Sequence, residues 1–194
     1  PLSFHPIALI FGLLSFVSYL VEGAVGDWSA LYLFEDKGIL IEEAVMGVML
    51  FNGTMCIGRL LGNRLGKHLT SKQVVVGGYL LGSIAMGLIV FLPGHASMYT
   101  YLLLGISLAM IVPNLFSAMG EQNVIPMTQA VATSTMLGYM GILMGPALIG
   151  FIAHGTSLTV AFIVLTTLLV VSAGIGKYAY HLMSKDCGLS EEQI

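Results

Sequence analysis

The chain has 194 residues, of which 57% are hydrophobic and only 9% charged, with a formal net charge of −3 and a mean hydropathy of +0.93. Soluble domains carry roughly 25% charged residues, so this composition excludes an ordinary soluble protein, and its acidic balance gives no reason to expect nucleic acid as a partner. The two cysteines, Cys56 and Cys187, lie in an apolar run and near the C-terminus, and no CxxC or Cys/His spacing suggests a metal or other cofactor.

Six apolar segments follow in order, at 5–34, 44–62, 74–92, 98–119, 126–153 and 157–182. At ~1.5 Å per residue, about 20 helical residues cross a ~30 Å hydrocarbon core. Lipid admits only helices or closed barrels, and the segments lack the alternation of barrel strands. The expected fold is therefore all-α and polytopic. It has one six-helix transmembrane domain over 1–183 and a polar cytoplasmic tail over 184–194.

The first segment is too long for a signal peptide and has no basic start. Pro1 is not a start methionine, so an N-terminal portion is expected upstream. From Pro1 to Val21 there is no Asp, Glu, Lys or Arg; then VEGAVGDWSALYL introduces Glu22 and Asp27. Glu22 falls ~18 Å from the end of its helix, near the bilayer midplane. Ser15, Ser18, Tyr19 and Ser29 share its face at helical spacing. An intramembrane acid is costly on lipid, so it should face a wet interior, where it can exchange a proton or hold a substrate group. The plainer alternative is an acid that holds two helices together. Asp27 lies ~140° round the helix from Glu22. It is a second candidate for the substrate or proton site, and is otherwise expected to cap a half-helix restarting at Trp28, because Gly23 and Gly26 are read as interrupting the helix, or to pair with an arginine outside this chain. Trp28 is either a substrate platform or an interfacial anchor. No lysine or arginine of this chain is expected to reach either acid, Arg59 being read as too far away.

The second segment ends in GRLLGNRLGKHLTSK, and four of the seven basic residues, Arg59, Arg64, Lys67 and Lys72, cluster there. Lys177 and Lys185 fall at the same end of a six-helix chain, with Lys37 alone opposite. The positive-inside rule then puts both chain ends in the cytoplasm. The third and sixth segments are nearly uniformly apolar and read as lipid-facing. The first and fourth are more polar, the fourth carrying Tyr101, Ser107 and Asn114 beside Pro113. Glycines recur in the second segment (Gly47, Gly53, Gly58, Gly62) and the fifth (Gly138, Gly141, Gly145, Gly150). A polarity order repeating every three segments predicts a 3+3 repeat, and an odd number of spans per repeat makes it inverted. Interrupted first and fourth helices would mark a binding site, with Tyr101 and Asn114 as further contacts.

The loop after the second segment resembles the signature loop of the major facilitator superfamily, a glycine-rich turn with Asp-Arg-x-Gly-Arg/Lys. Gly58, Arg59, Gly62, Asn63, Arg64, Gly66, Lys67 and His68 carry the likeness, with Asn63 where the family has aspartate. GYMGILMGPALIGFIA (138–153) resembles the fifth helix of a family half, and EGAVGDWSALYL resembles the seventh helix of a bacterial branch near the sugar and fucose permeases. The resemblance implies the C-terminal half of a twelve-helix transporter of the bacterial inner membrane. It implies rocking halves, a small-molecule substrate, and an N-terminal six-helix half absent from this chain. Combined with Glu22, it points to proton-coupled symport of a small polar solute. A membrane scaffold or sensor built on a transporter half is the alternative. An intramembrane enzyme is less favoured, because no GxSG serine, HExxH or GxGD pattern occurs.

Overall fold

The computed structural model describes residues 2–188, apart from the side-chain environments of Asn63, Leu65 and Gly66. The helices are α1 (Pro6–Glu35), α2 (Ile41–Leu65), α3 (Ser71–Phe91), α4 (Gly94–Tyr99), α5 (Tyr101–Leu108), α6 (Ile111–Glu121), α7 (Met127–Gly155) and α8 (Leu158–Cys187), with a short 3₁₀ turn at Gly66–His68 between α2 and α3. Among the described residues, six stretches are long and apolar enough to cross a membrane. Five are single helices, and the fourth span is assembled from α4, α5 and α6. α8 continues through Ser184–Cys187, into the segment read as a polar tail, and ends at Gly188 with φ 65°. The rest of that tail, 189–194, lies outside the described residues.

Local chemistry explains the helix ends. The His5 imidazole accepts from the Ile7 amide ahead of Pro6, whose missing N–H costs nothing at a helix start. Thr70 and Gln73 form a reciprocal capping box on α3. Ser157 caps α8. At the same end as Ser157, Lys37 donates to the Val90 and Leu92 carbonyls at the end of α3, at 2.6 and 2.9 Å, satisfying acceptors the helix cannot. Lys37 lies outside the spans. Burial pushes its ammonium below the ordinary lysine range, while Asp36 pulls it back up.

α1 lies along α7, α2 along α5, and α3 along α8. Exchanging the first span with the fourth and the second with the fifth maps the first pairing onto the second, as an inverted 3+3 repeat requires. α1 is the most enclosed span; α2 and α7 leave broad apolar faces exposed.

Glycines set the closest of these approaches. A Cβ built on Gly141 or Gly145 would strike the Phe16 or Leu20 carbonyl oxygen of α1. No side chain fits there, so the backbones themselves are in contact. Gly58 and Gly62 make room for the side chains of Ala109 and Met110 of the fourth span.

One expectation is overturned. α1 is continuous through Gly23 and Gly26, so Asp27 is an exposed mid-helix residue and caps nothing. Glycine weakens a helix by ~1 kcal/mol but keeps its N–H. Gly23 also lets α1 approach the Ile142 carbonyl of α7, 2.9 Å from a built Cβ.

Candidate functional site

The site begins with a proline. Pro113 has no N–H, so the Ala109 carbonyl four residues earlier loses its helical donor. The fourth span breaks at Ala109–Met110, between α5 and α6. Asn114 covers part of the gap: its amide N–H and its side-chain Nδ2 both donate to the Met110 carbonyl, at 3.2 and 2.8 Å. The Ala109 carbonyl is taken by Arg59 of α2, whose Nε donates to it at 3.4 Å. Gly58 beside it keeps α2 close enough for this reach.

The other end of the guanidinium meets α1. Arg59 Nη2 donates to Glu22 Oε1 at 3.0 Å, forming an ion pair. This corrects the expectation that no cation of this chain reaches Glu22. Counting residues along α2 places the Arg59 backbone near the helix end, but its side chain spans the difference in depth. The pair is not sealed: the Arg59 side chain is 42% exposed and that of Glu22 17%. A hydrogen-bonded charge pair at a partly open face is tolerable where an isolated acid would not be.

Tyr19 completes the cluster. It lies within electrostatic reach of Glu22 and Arg59. Its ring stacks on Tyr139 of α7 with centroids 6.3 Å apart and planes 7° apart. Gly138 makes room for this, since a Cβ there would strike the Tyr19 ring. Tyr139, 62% exposed, escaped sequence reasoning; its only signal was an aromatic set among the glycines of the fifth segment. Glu22, Arg59, Tyr19 and Tyr139 thus set a carboxylate, a guanidinium and two phenols along α1, which packs on both α2 and α7.

The remaining candidates lie elsewhere. Ser18 and Tyr101 are buried, with Ser18 beside Tyr79 and Tyr101 beside Ser29. Ser15 is buried and donates to the Phe11 carbonyl at 3.1 Å; Ser29 is buried too. The polar stripe expected around Glu22 is therefore largely a packing face. Trp28 donates from Nε1 to the Pro146 carbonyl at 2.9 Å. It borders a separate cavity of about 470 Å³, shared with Glu35, Asp36 and His154. Asn114 lines a cleft with Gly62, Gln73 and Ser107. In the loop motif, Arg64, Lys67 and His68 are exposed. Asn63 closes the last turn of α2, and Gly66 opens the 3₁₀ turn.

Six membrane-crossing helices in an inverted repeat, carrying an ion pair on an open face, define the half-domain architecture of a polytopic transporter. The chain belongs to the major facilitator superfamily. It is 41% identical over 168 residues to an uncharacterized MFS-type transporter of Yersinia pestis, covering 85% of this chain and 43% of the relative. It is 30% identical to membrane protein MosC of Rhizobium meliloti, covering 86% of this chain and 42% of the relative. The chain thus spans less than half the length of these curated relatives. No protein-family model matches it. Among solved structures, it is similar to the peptide transporter POT in complex with alafosfalin, at TM-score 0.79 and 13% identity, over 94% of this chain and 39% of the other. That likeness shows the fold. The expectation that the chain is not an enzyme accords with relatives and neighbours named as transporters.

Proposed function

We propose that the protein containing this chain is a secondary transporter that moves a small polar solute by alternating access, driven by protons. In this reading the chain is the C-terminal half, with both its ends in the cytoplasm of a bacterial inner membrane. An N-terminal half supplies the opposite wall of the cavity. The observation that carries the reading is the Glu22–Arg59 pair at 3.0 Å on a partly open face beside the Tyr19–Tyr139 stack.

Glu22 is the proton site. Protonation removes its charge and dissolves the ion pair. Arg59 stays moored through Nε to the Ala109 carbonyl, and its Nη donors become available to a carboxylate or hydroxyl of the solute. Tyr19 and Tyr139 add ring faces and phenolic hydroxyls to the same place. Solute and proton are then coupled because each takes one partner of the same ion pair, the proton Glu22 and the solute Arg59. Six of the seven basic residues at one end support the orientation.

The test is uptake into proteoliposomes by the whole protein, screened against small polar solutes under an imposed pH gradient. Glu22→Gln should abolish accumulation against the gradient while leaving solute exchange in place. Proton-driven accumulation by that variant at the wild-type rate would overturn the assignment.

A further inference from the structure

The end of the bundle opposite the basic loop holds a cavity that the Glu22–Arg59 pair does not use. It has a volume of about 470 Å³ and lies between the ends of α1 and α7 and the start of α8, with Trp28, Leu31, Glu35, Asp36, His154 and Leu158 among its walls. Glu35 is ~20 Å along α1 from Glu22. Trp28 is held at two edges: its Nε1 donates to the Pro146 carbonyl at 2.9 Å, and its ring sits over Gly150, where a Cβ would lie 2.9 Å from Cζ2. Two helix C-termini, those of α1 and α7, meet one helix N-terminus, that of α8, around the cavity. The last turn of α1 carries no basic residue. It carries Glu35, with Asp36 next in the chain, so carboxylates stand where the helix dipole favours a cation. Asp36 accepts from Thr159 Oγ1 at 3.3 Å and has Lys37 as an electrostatic neighbour. The Lys37 ammonium is itself committed to the Val90 and Leu92 carbonyls. Glu35 is exposed and makes no hydrogen bond or ion pair with the described residues.

We propose that this cavity binds a small alkylammonium cation, held against the Trp28 indole with Glu35 as its counter-charge. The walls decide the kind of cation. A quaternary nitrogen carries its charge without needing hydrogen-bond acceptors, which suits a surface of indole and leucine, and an indole face attracts it directly. A metal ion is the poorer match, because among the described residues no three His, Cys, Asp or Glu side chains are grouped to hold one. The helix ends and carboxylates supply the field, since a cleft lined by one sign of charge concentrates the opposite ion. The bound cation offsets the crowding of negative charge at the end of α1 that Lys37, turned to α3, leaves in place. The site stands apart from the transport reading and requires nothing of it.

Isothermal titration calorimetry of the purified full-length protein tests this, with choline as the probe and, for comparison, the uncharged analogue in which a tert-butyl group replaces trimethylammonium. Choline should bind saturably and the analogue should not. Glu35→Gln should weaken choline about fivefold, the effect of one unit charge at ~4 Å in water. Trp28→Leu should weaken it about threefold, as expected of an exposed cation–π contact. Glu35→Lys places a cation in the cavity and should abolish binding. Glu42→Gln, at an exposed acid in the first turn of α2 and outside the cavity, should change nothing, and neither should Glu22→Gln. An equal loss in Glu42→Gln would assign the effect to general surface charge, and a loss in Glu22→Gln would move the cation to the transport site. Either result overturns the proposal, as does equal binding of the uncharged analogue or no saturable binding of choline. Full displacement of choline by equimolar sodium would overturn the part given to the indole. Should Trp28→Leu fail to fold, saturating choline should slow hydroxyl-radical oxidation of Trp28 in the wild type, read by peptide mass spectrometry; an unchanged rate contradicts the contact.

Discussion

Two prolines enter the helical ladder of this protein, with opposite results. Pro146 lies inside α7, and the helix runs on unbroken from Met127 to Gly155. Pro113 lies in the fourth span, and the helix breaks at Ala109–Met110. Each proline deprives the carbonyl four residues before it of a donor. At Pro146 the deprived carbonyl is that of Ile142, which is covered by Gly23 of a closely packed α1. At Pro113 it is that of Ala109, which receives a guanidinium. Where a neighbouring backbone packs tightly, the proline is absorbed. Where the neighbour is a long charged side chain, the proline becomes part of a site.

The largest effect should come from the packing that absorbs Pro146. Gly141→Val forces a side chain into the Phe16 carbonyl and should prevent stable assembly of α1 on α7. The check is the yield of monodisperse protein, which should fall to background while Gly174→Val, at a glycine with open space around it, expresses normally. Arg59→Gln comes next. It leaves the Glu22 carboxylate and the Ala109 carbonyl without their partner, and should cost about 1–3 kcal/mol in thermal unfolding. The prolines themselves then separate. Pro113→Ala returns a donor to Ala109 and should raise stability by about 1 kcal/mol while lowering transport, because Arg59 loses its mooring. Pro146→Ala should leave transport intact, and equal transport losses in the two variants would erase the distinction.

The smallest effect concerns Lys37, at the other end of the molecule. Its folded-state pKa lies below that of an unfolded lysine, so the unfolded chain binds more protons in the window between the two. Its contribution to stability therefore rises with pH through the folded-state value and levels off above ~10.4. Lys37→Met should flatten that alkaline rise in a pH series of melting temperatures. It should also lower the neutral-pH melting temperature by a few degrees, about 1 kcal/mol for the lost carbonyl contacts.

Much of this was legible in the sequence. Six apolar runs become six spans, because hydropathy over about 20 residues leaves lipid no other solution. Glu22 announced itself as an acid in an uncharged run. Its partner did not, because residue counting measures backbone depth and ignores the reach of an arginine side chain. The serines misled because a face with period 3.6 is polar by composition whether it meets water or another helix. In a membrane helix a serine can return its hydroxyl to its own backbone, as Ser15 does to Phe11. Gly23 and Gly26 look like breaks in the sequence, yet glycine keeps its hydrogen bond and proline does not. The glycines of the second and fifth segments carried the correct message of close contact, but only the fold shows that Gly58 also admits Arg59 and that Gly138 admits the Tyr19–Tyr139 stack.

The claim on which the rest depends is that Glu22 and Arg59 act as one unit. A double-mutant cycle on thermal unfolding, with Glu22→Gln, Arg59→Gln and the pair together, measures it without knowledge of the solute. The structure predicts that the double variant is no less stable than Arg59→Gln alone, with a coupling of about 1–2 kcal/mol. Strictly additive losses would show that the two residues do not interact, and would remove the ion pair from the centre of the site.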